Sequence, residues 1–206
     1  MSRRQPAAAY AERTIAAYRV HAGEALRSWA RARTPSRFLR RFAGLLPPGG
    51  QLLDYGCGIG TDLAWLSRRG FRVEGIDGTL EFVDETRRRC PGAPVRHARF
   101  ETVRLQEGAY DGIWSNAALI HVPPEELAEQ LEKLRRALRP GGWLALTLAW
   151  GRAKGFLRGD WIPGRYVAGF RRGEALKMLD GWAALSVKVV SGESRRGRWI
   201  QILAQP

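Results

Sequence analysis

Residues 52–60 read LLDYGCGIG, and this stretch decides the fold, because an apolar run ends there in a turn rich in glycine. Thr61 follows where a helix can begin, and residues 71–76, FRVEGI, have the pattern of a second strand that ends at Asp77. A strand, a glycine turn, a helix, a second strand and an acid form one βαβ unit. Its turn lets the backbone approach a ligand, its helix offers free N–H groups, and Asp77 can accept both hydroxyls of a ribose. The stretch predicts a nucleoside site.

The spacing of the glycines indicates which kind of nucleoside site it is. In the dinucleotide pattern G-x-G-x-x-G, counted from Gly56, Thr61 occupies the position of the third glycine. The chain has instead D-x-G-x-G-x-G, from Asp54 through Gly56 and Gly58 to Gly60. The alternative interpretation, a glycine-rich β-turn followed by a solvated acid, leaves the later motifs unexplained.

Two further stretches continue the pattern. YDGIWSNAALIHVPPEEL, residues 110–127, contains a fourth strand at 110–116 and the start of a helix. LRRALRPGGWLALTL, residues 134–148, ends that helix at the Pro-Gly-Gly of 140–142 and begins a fifth strand, residues 143–150. Between the second and fourth strands, residues 79–89 predict a crossover helix and residues 94–97 a short third strand.

These stretches, with LLPPGGQLLDYGCGIGTDLAWL from Leu45, resemble successive motifs of the class I S-adenosylmethionine-dependent methyltransferases. They are most similar to its small-molecule branch, the type-11 or tellurite-resistance-like group, over about half of the chain. The resemblance implies an α/β, Rossmann-like methyltransferase fold, with a mostly parallel seven-stranded sheet, helices on both faces and an N-terminal helical cap. It also implies S-adenosyl-L-methionine as the cofactor and S-adenosyl-L-homocysteine as the product.

The length of 206 residues predicts one domain, residues 1–206. Residues 1–44 are expected to form the cap, with one helix over 8–32 and a second after Ser36. Residues 45–150 form the cofactor-binding core. Residues 151–206 hold a closing hairpin and an aperiodic segment, 151–169, that either folds over the substrate or is a mobile loop.

The resemblance implies that the glycine turn, Asp77, the residues after the third strand and the end of the fourth strand hold the cofactor. Phe100 can lie against the purine face; alternatively, it is a buried aromatic residue beside a solvated Glu101. The expected cofactor-binding residues are Asp54, Gly56, Cys57, Gly58, Gly60, Asp77, Gly78, Phe100, Glu101 and Asn116.

Aromatic side chains concentrate in the segments that should face the carboxyl edge of the sheet, where ligands of open α/β sheets bind. We therefore expect a small-molecule acceptor, aromatic or carrying a heteroatom, although side chains of the cap can equally serve as packing. The expected pocket residues are Tyr10, Tyr18, His21, Trp114, Trp150, Trp161 and Tyr166.

Transfer of a methyl group from a sulfonium needs a base only when the nucleophile must lose a proton. His121, just past the fourth strand, is the first candidate for a catalytic base, because histidine titrates near neutral pH. The alternative is that its ring hydrogen-bonds the backbone and only shapes the pocket. His21 and Tyr18 of the cap are further candidates.

The net charge of +14, with thirty arginines, permits a nucleic-acid partner, but the arginines are spread along the whole chain. An RNA methyltransferase, for example one acting on transfer RNA, therefore stays as an alternative to the small-molecule enzyme. A cofactor-binding partner protein without catalysis is a third alternative. The sequence leaves the oligomeric state open.

The sequence lacks the patterns that are typical of several classes of functional site. The chain has no Asn-Pro-Pro-Tyr-type tetrad after the fourth strand, no Pro-Cys dipeptide and no metal-ligand spacing, so we expect no bound metal. No apolar run approaches the roughly twenty residues that span a bilayer, and no secretory signal precedes the core. Cys57 and Cys90 are the two cysteines, and a reducing cytoplasm fits them.

Overall fold

The structure is a computed structural model, and it describes residues 7–31, 35–191 and 197–206. None of the helices in these ranges is both long enough and apolar enough to cross a membrane. The α-helices are α1 Ala7–Val20, α2 Ala22–Trp29, α3 Arg37–Ala43, α4 Thr61–Arg68, α5 Leu80–Arg89, α6 Pro124–Ala137 and α7 Arg172–Met178, with a 3-10 helix at Leu119–His121. The strands are β1 Gln51–Tyr55, β2 Arg72–Asp77, β3 Val95–His97, β4 Tyr110–Ser115, β5 Leu138–Trp150, β6 Lys154–Phe156, β7 Tyr166–Phe170, β8 Ala183–Ser191 and β9 Arg198–Gln205.

The strands form one sheet in the order β3-β2-β1-β4-β5-β7-β6, in which β1 to β5 and β7 are joined by parallel pairs. The hairpin of β8 and β9 joins β5 antiparallel through β9, and β6 joins β7 antiparallel. The mostly parallel α/β sheet is confirmed. The described residues contain nine strands rather than the predicted seven.

Alternate residues of each strand belong to two separate cores, because successive side chains of a strand point to opposite faces. Leu52 of β1 packs with α3 and α4, whereas Leu53 packs with α6. In the same way Trp114 of β4 belongs to the first core and Ile113 to the second. Helices therefore cover both faces of the sheet, as the sequence predicts.

The predicted first helix, residues 8–32, is two helices in the structure. Residue His21 lies in a turn between α1 and α2, with φ −104° and ψ 17°. Residues 32–34, where the helix was predicted to end, lie outside the described residues. The break lets α2 follow a new direction, and it moves Trp29 onto the glycine turn, within 3.7 Å of the point where a Cβ of Gly58 would stand.

The helix predicted to run to Pro140 ends earlier, at Ala137. Leu138 is already extended and pairs with Tyr110 of β4. Proline disfavours helical backbone at the residue before it, and the parallel pairing accounts for Leu138. Arg139, which the sequence placed in the helix, instead forms an ion pair of 2.7 Å with Asp111.

Residues 151–169, predicted as aperiodic, contain the whole of β6 and most of β7. The ring of Phe156 in β6 stacks on Tyr10 of α1 with centroids 5.6 Å apart, and Tyr166 meets Tyr10 edge-on at 4.9 Å. The backbone N–H of Tyr166 donates to the buried hydroxyl of Thr14, 3.0 Å away. The hairpin thus attaches α1 to the edge of the sheet.

Helix α3 is part of the core by its contacts, although the sequence analysis assigned it to the cap. Phe42 is fully buried and stacks on Trp114, with ring centroids 5.6 Å apart. We expect Phe42→Ala to lower the free energy of unfolding by about 3–5 kcal/mol, because it leaves a cavity against Trp114. Leu45→Ala, at a side chain 38 % exposed, is the control and should change it by about 0.5 kcal/mol or less. Equal effects in urea unfolding would show that α3 is not packed in this way.

Candidate functional site

The glycine turn between β1 and α4 forms a backbone cradle at the carboxyl edge of the sheet. Gly56, Gly58 and Gly60 have φ of 87°, 53° and 73°, in the left-handed region that favours glycine. The N–H groups of Gly56 and Cys57 both donate to the carbonyl of Ile76, at 2.8 and 3.0 Å. The end of β2 thus holds the start of the turn.

Two of these glycines have no room for a side chain. A Cβ on Gly56 would overlap the Cβ of Ala118, and a Cβ on Gly60 would lie 2.6 Å from the Cγ2 of Thr86. Thr86 also donates its hydroxyl hydrogen to the carbonyl of Gly58, at 2.8 Å. The turn is therefore pressed between the loop after β4 and helix α5.

Asp77, at the end of β2, binds the turn through both carboxylate oxygens. Oδ2 accepts from the N–H of Gly58 at 2.9 Å, and Oδ1 accepts from the N–H of Thr79 at 2.8 Å. Burial raises the pKa of Asp77 and these backbone donors oppose that shift. The Thr79 side chain also hydrogen-bonds Asp77, and because a carboxylate has about four acceptor positions, one remains for a ribose hydroxyl.

Three carboxylates converge below and beside the cradle. Asp54 is 2 % exposed, and its pKa is raised well above the ordinary range by burial and by the charges of Asp62 and Asp77. Its Oδ2 is buried with no hydrogen-bond partner among the described residues. The negative charges of Asp62 and Asp77 repel a diphosphate and attract a cation, which favours a cofactor carrying an ammonium and a sulfonium over a dinucleotide.

The loop after β4 lies directly over the turn. Ala117 has φ 55°, a strained value for a residue with a side chain, which costs about 1–3 kcal/mol. Its N–H donates to the hydroxyl of Thr147 at 2.8 Å, and that hydroxyl donates to Oδ1 of Asn116 at 2.9 Å. The Asn116 amide also donates to Asp62 at 3.4 Å. These hydrogen bonds hold Asn116 and Ala118 against the cradle despite the strain at Ala117.

Phe100 lies on the other side of the turn. Its ring stacks on Tyr55 with centroids 4.3 Å apart, and its Cζ is 3.2 Å from the position of a Cβ on Gly56. The carbonyl of Phe100 accepts from the ammonium of Lys133 at 2.6 Å. Glu101 has one oxygen, Oε2, that is buried without a partner among the described residues. Tyr55 and Lys133 were missed by the sequence analysis, because the strand and helix patterns explain them as core and surface.

The cap lies directly on the cradle. Ile15 of α1 stands 2.8 Å from the position of a Cβ on Gly78. Tyr18 packs edge-on against Phe82 of α5, with centroids 5.6 Å apart. Ile59 of the turn belongs to the same apolar cluster. The members of this cap cluster are Tyr18, Ala22, Ala25, Ile59, Phe82 and Ile162, with Ala17, Leu26, Trp29 and Trp161 packed against them.

His121 lies in a chain of hydrogen bonds that enters the cap cluster. Its Nδ1 is 2.5 Å from the carbonyl of Tyr166, so Nδ1 carries the proton and Nε2 accepts from the hydroxyl of Tyr18 at 2.9 Å. Arg165 donates to the same hydroxyl from Nη1 at 3.1 Å, and its Nη2 forms an ion pair with Asp160. Burial lowers the pKa of His121 to about 4. No local sequence pattern predicts Arg165 as a site residue, because its partner Tyr18 lies 147 positions away.

Four of the predicted pocket residues lie elsewhere or serve other contacts. Trp114 is 1 % exposed between Phe38 and Phe42. Its indole N–H donates to Oδ2 of Asp62 at 3.0 Å, so the structure packs it in the core beside the cradle and its role in the pocket stays a prediction. Two arginines flank Trp150, with guanidinium carbons 4.6 and 4.2 Å from the ring centroid. His21 pairs with Glu24 at 3.5 Å.

The fourth of these residues is Tyr10, which packs on the β6–β7 hairpin. Of the other predicted residues, Tyr18, Trp161 and Tyr166 do meet around Arg165 and His121. Cys57 is buried, and its sulfur is 3.0 Å from the position of a Cβ on Gly75. Among the ranges that the structure describes, no group of three His, Cys, Asp or Glu residues is placed to hold a metal ion.

Comparisons with known proteins agree with this geometry. A family described as "Methyltransferase domain" matches residues 52–142. The chain is 36 % identical over 106 residues to an uncharacterized methyltransferase of Mycobacterium bovis, covering 50 % of this chain and 53 % of the relative. It is 34 % identical over 105 residues to trans-aconitate 2-methyltransferase of Variovorax paradoxus, covering 50 % and 40 %.

Solved structures extend the likeness to the whole fold. Burkholderia thailandensis 1,6-didemethyltoxoflavin-N1-methyltransferase, with bound 1,6-didemethyltoxoflavin and S-adenosylhomocysteine, superposes with a TM-score of 0.76. It is 18 % identical and covers 99 % of this chain and 92 % of that one, so it supports the fold alone. The chain spans about half, or less, of the length of these two curated relatives.

The buried carboxyl of Asp54 makes a testable contribution to stability. Its pKa is higher in the folded than in the unfolded chain, so its ionisation destabilises the fold as pH rises above the ordinary range of aspartate. We expect Asp54→Asn to be more stable than wild type at pH 7. Its free energy of unfolding should also decline less than that of wild type between pH 4 and pH 7. Urea unfolding across that range checks this. Parallel pH curves for the two proteins would contradict it.

Proposed function

We propose that this chain, which belongs to the class I S-adenosylmethionine-dependent methyltransferases, transfers the methyl group of that cofactor to a heteroatom of a small-molecule acceptor. The observation that carries the proposal is the cradle: a D-x-G-x-G-x-G turn held by Asp77 and surrounded by carboxylates. S-adenosylmethionine is the cofactor of the family. It supplies a methyl group already activated on a sulfonium, so the protein chiefly aligns the acceptor.

The residues of the cradle fit such a cofactor. Gly56, Gly58 and Gly60 offer close approach to backbone, and the remaining acceptor position of Asp77 suits a ribose hydroxyl. The unpartnered Oδ2 of Asp54 and the charge of Asp62 suit the cationic groups. Phe100, Glu101, Gly78, Cys57 and Asn116 remain proposed contacts.

A small acceptor is supported by the position of the cap. Helix α1 contacts the loop after β2 through Ile15 on Gly78, and α2 contacts the glycine turn through Trp29 on Gly58, so the acceptor would be enclosed between cap and sheet. Apolar and aromatic walls with few polar groups are typical of small-ligand sites. Trans-aconitate and 1,6-didemethyltoxoflavin, which the names of the similar proteins give, are both small molecules.

An RNA acceptor is the alternative that the charge of +14 allows. We expect bulk transfer RNA to bind weakly and without saturation at physiological salt, because several of the arginines are engaged in ion pairs along the surface. Fluorescence titration over a salt series measures this. Tight binding that falls steeply with salt would favour the RNA enzyme.

Asp77→Ala should weaken binding of S-adenosylhomocysteine by about tenfold or more, because it removes a charge-assisted hydrogen bond worth about 1.5–3 kcal/mol. Titration calorimetry measures the affinity, and Asp84→Ala, at an exposed carboxylate of α5, is the control. Circular dichroism confirms that the variants are folded. Unchanged affinity in Asp77→Ala, or tight binding of NAD by wild type, would overturn the cofactor assignment.

A further inference from the structure

Arg165 is a mostly buried cation that the cofactor cradle does not use. Its side chain is 14 % exposed, and its Nε is buried with no hydrogen-bond partner among the described residues. The other two nitrogens are engaged, Nη1 with the hydroxyl of Tyr18 and Nη2 with Asp160. A guanidinium that is held at two nitrogens, with the third buried and without a partner, has a fixed, unsatisfied donor.

The position of Arg165 is set by the cap. Tyr18, to which it donates, also packs against Trp29, whose ring lies 3.7 Å from the position of a Cβ on Gly58. The charge of Asp77 is close enough to raise the pKa of Tyr18, which is buried. Through Tyr18, Arg165 is therefore attached to the cap cluster that lies on the cradle.

We propose that Arg165 is the binding residue for the acceptor, and that the acceptor presents an anionic oxygen to its Nε–H. This rests on the proposed methyltransferase function and names its substrate class: a carboxylate or a phosphate-type oxyanion, ionised before it binds. Asp160 and Tyr18 are positioning residues that hold the guanidinium. The acceptor oxygen forms the new bond to the methyl carbon while the carbon–sulfur bond breaks. The electron pair of that bond stays on sulfur, and no proton has to be removed.

The surroundings of His121 agree with an acceptor that needs no base. The groups that face its ring are the hydroxyl of Tyr18 from α1, the guanidinium of Arg165 before β7 and the carbonyl of Tyr166 in β7. The Tyr18 hydroxyl and the Tyr166 carbonyl already hydrogen-bond the two ring nitrogens. Burial holds the imidazole neutral, with a pKa of about 4, and the nearby Arg165 charge disfavours a second cation. His121 is thus placed to orient the Tyr18 hydroxyl rather than to take a proton at neutral pH.

The test is calorimetric titration of the full chain saturated with S-adenosylhomocysteine, using benzoate, phenylphosphonate and the neutral benzamide as probes. We expect at least one anion to bind about tenfold or more tightly than benzamide. Arg165→Gln should remove that preference, and Arg165→Lys should restore part of it. Arg158→Gln, at an exposed arginine of the same segment, should leave it intact. A preference for benzoate identifies a carboxylate acceptor, and a preference for phenylphosphonate a phosphate-type one.

Three results would overturn the proposal: equal binding of benzamide, a preference for anions that survives in Arg165→Gln, or an equal loss in Arg158→Gln. The second and third would assign the binding to the general basic surface. Failure of S-adenosylhomocysteine itself to bind would instead overturn the proposed function, so the two failures are distinguishable.

A pH profile of methyl transfer to the anion that binds separates positioning from base catalysis. We expect kcat/KM to be flat from pH 6 to pH 8, and His121→Gln, which keeps an acceptor for the Tyr18 hydroxyl, to retain most of kcat. An activity that falls below about pH 6.5, together with loss of kcat in His121→Gln, would make His121 the base and overturn the assignment of an ionised acceptor.

Discussion

The carboxylate of Asp77 is the contact on which the cofactor cradle depends. Its two oxygens take the N–H of Gly58 and the N–H of Thr79, and so join the turn after β1 to the end of β2 and the start of α5. Hydrogen bonds to a charged group contribute about 1.5–3 kcal/mol each, enough to hold a turn of left-handed glycines in one conformation. Thr86, Ala118 and Trp29 also contact the turn, and the Asp77 carboxylate fixes the backbone conformation that they contact.

The same region contains two features that destabilise the folded chain. Asp54 is a buried carboxyl with an unpartnered oxygen and two like charges nearby, and Ala117 holds a strained backbone. Neither feature stabilises the chain by itself. A bound cation beside Asp54 would favour the ionised carboxylate and compensate part of its desolvation.

The sequence predicted the parallel sheet, the order of the core elements and the cradle, because these follow from local patterns: alternation in strands, the helical period, and glycines at fixed spacing. It did not predict what depends on distant pairing. Leu138 is extended because Tyr110 pairs with it, residues 154–170 form a hairpin because α1 covers it, and Trp114 faces the core because of the register of β4. Strand alternation shows that neighbours point to opposite faces, but not which face meets the ligand. Arg165 was missed for the same reason, since its partner Tyr18 lies in the first helix.

The charges of the site also explain why the cap is apolar. With carboxylates on the cofactor side and Arg165 at the cap, a cationic donor and an anionic acceptor would meet within apolar walls that include Ile59, Phe82 and Trp29. Their charges cancel as the methyl group moves, so the transition state is less polar than the reactants. Water stabilises the separated charges and slows such a reaction, whereas a dry layer does not. The net charge of +14 says nothing of this, because it sums the solvated surface and the site over the whole chain.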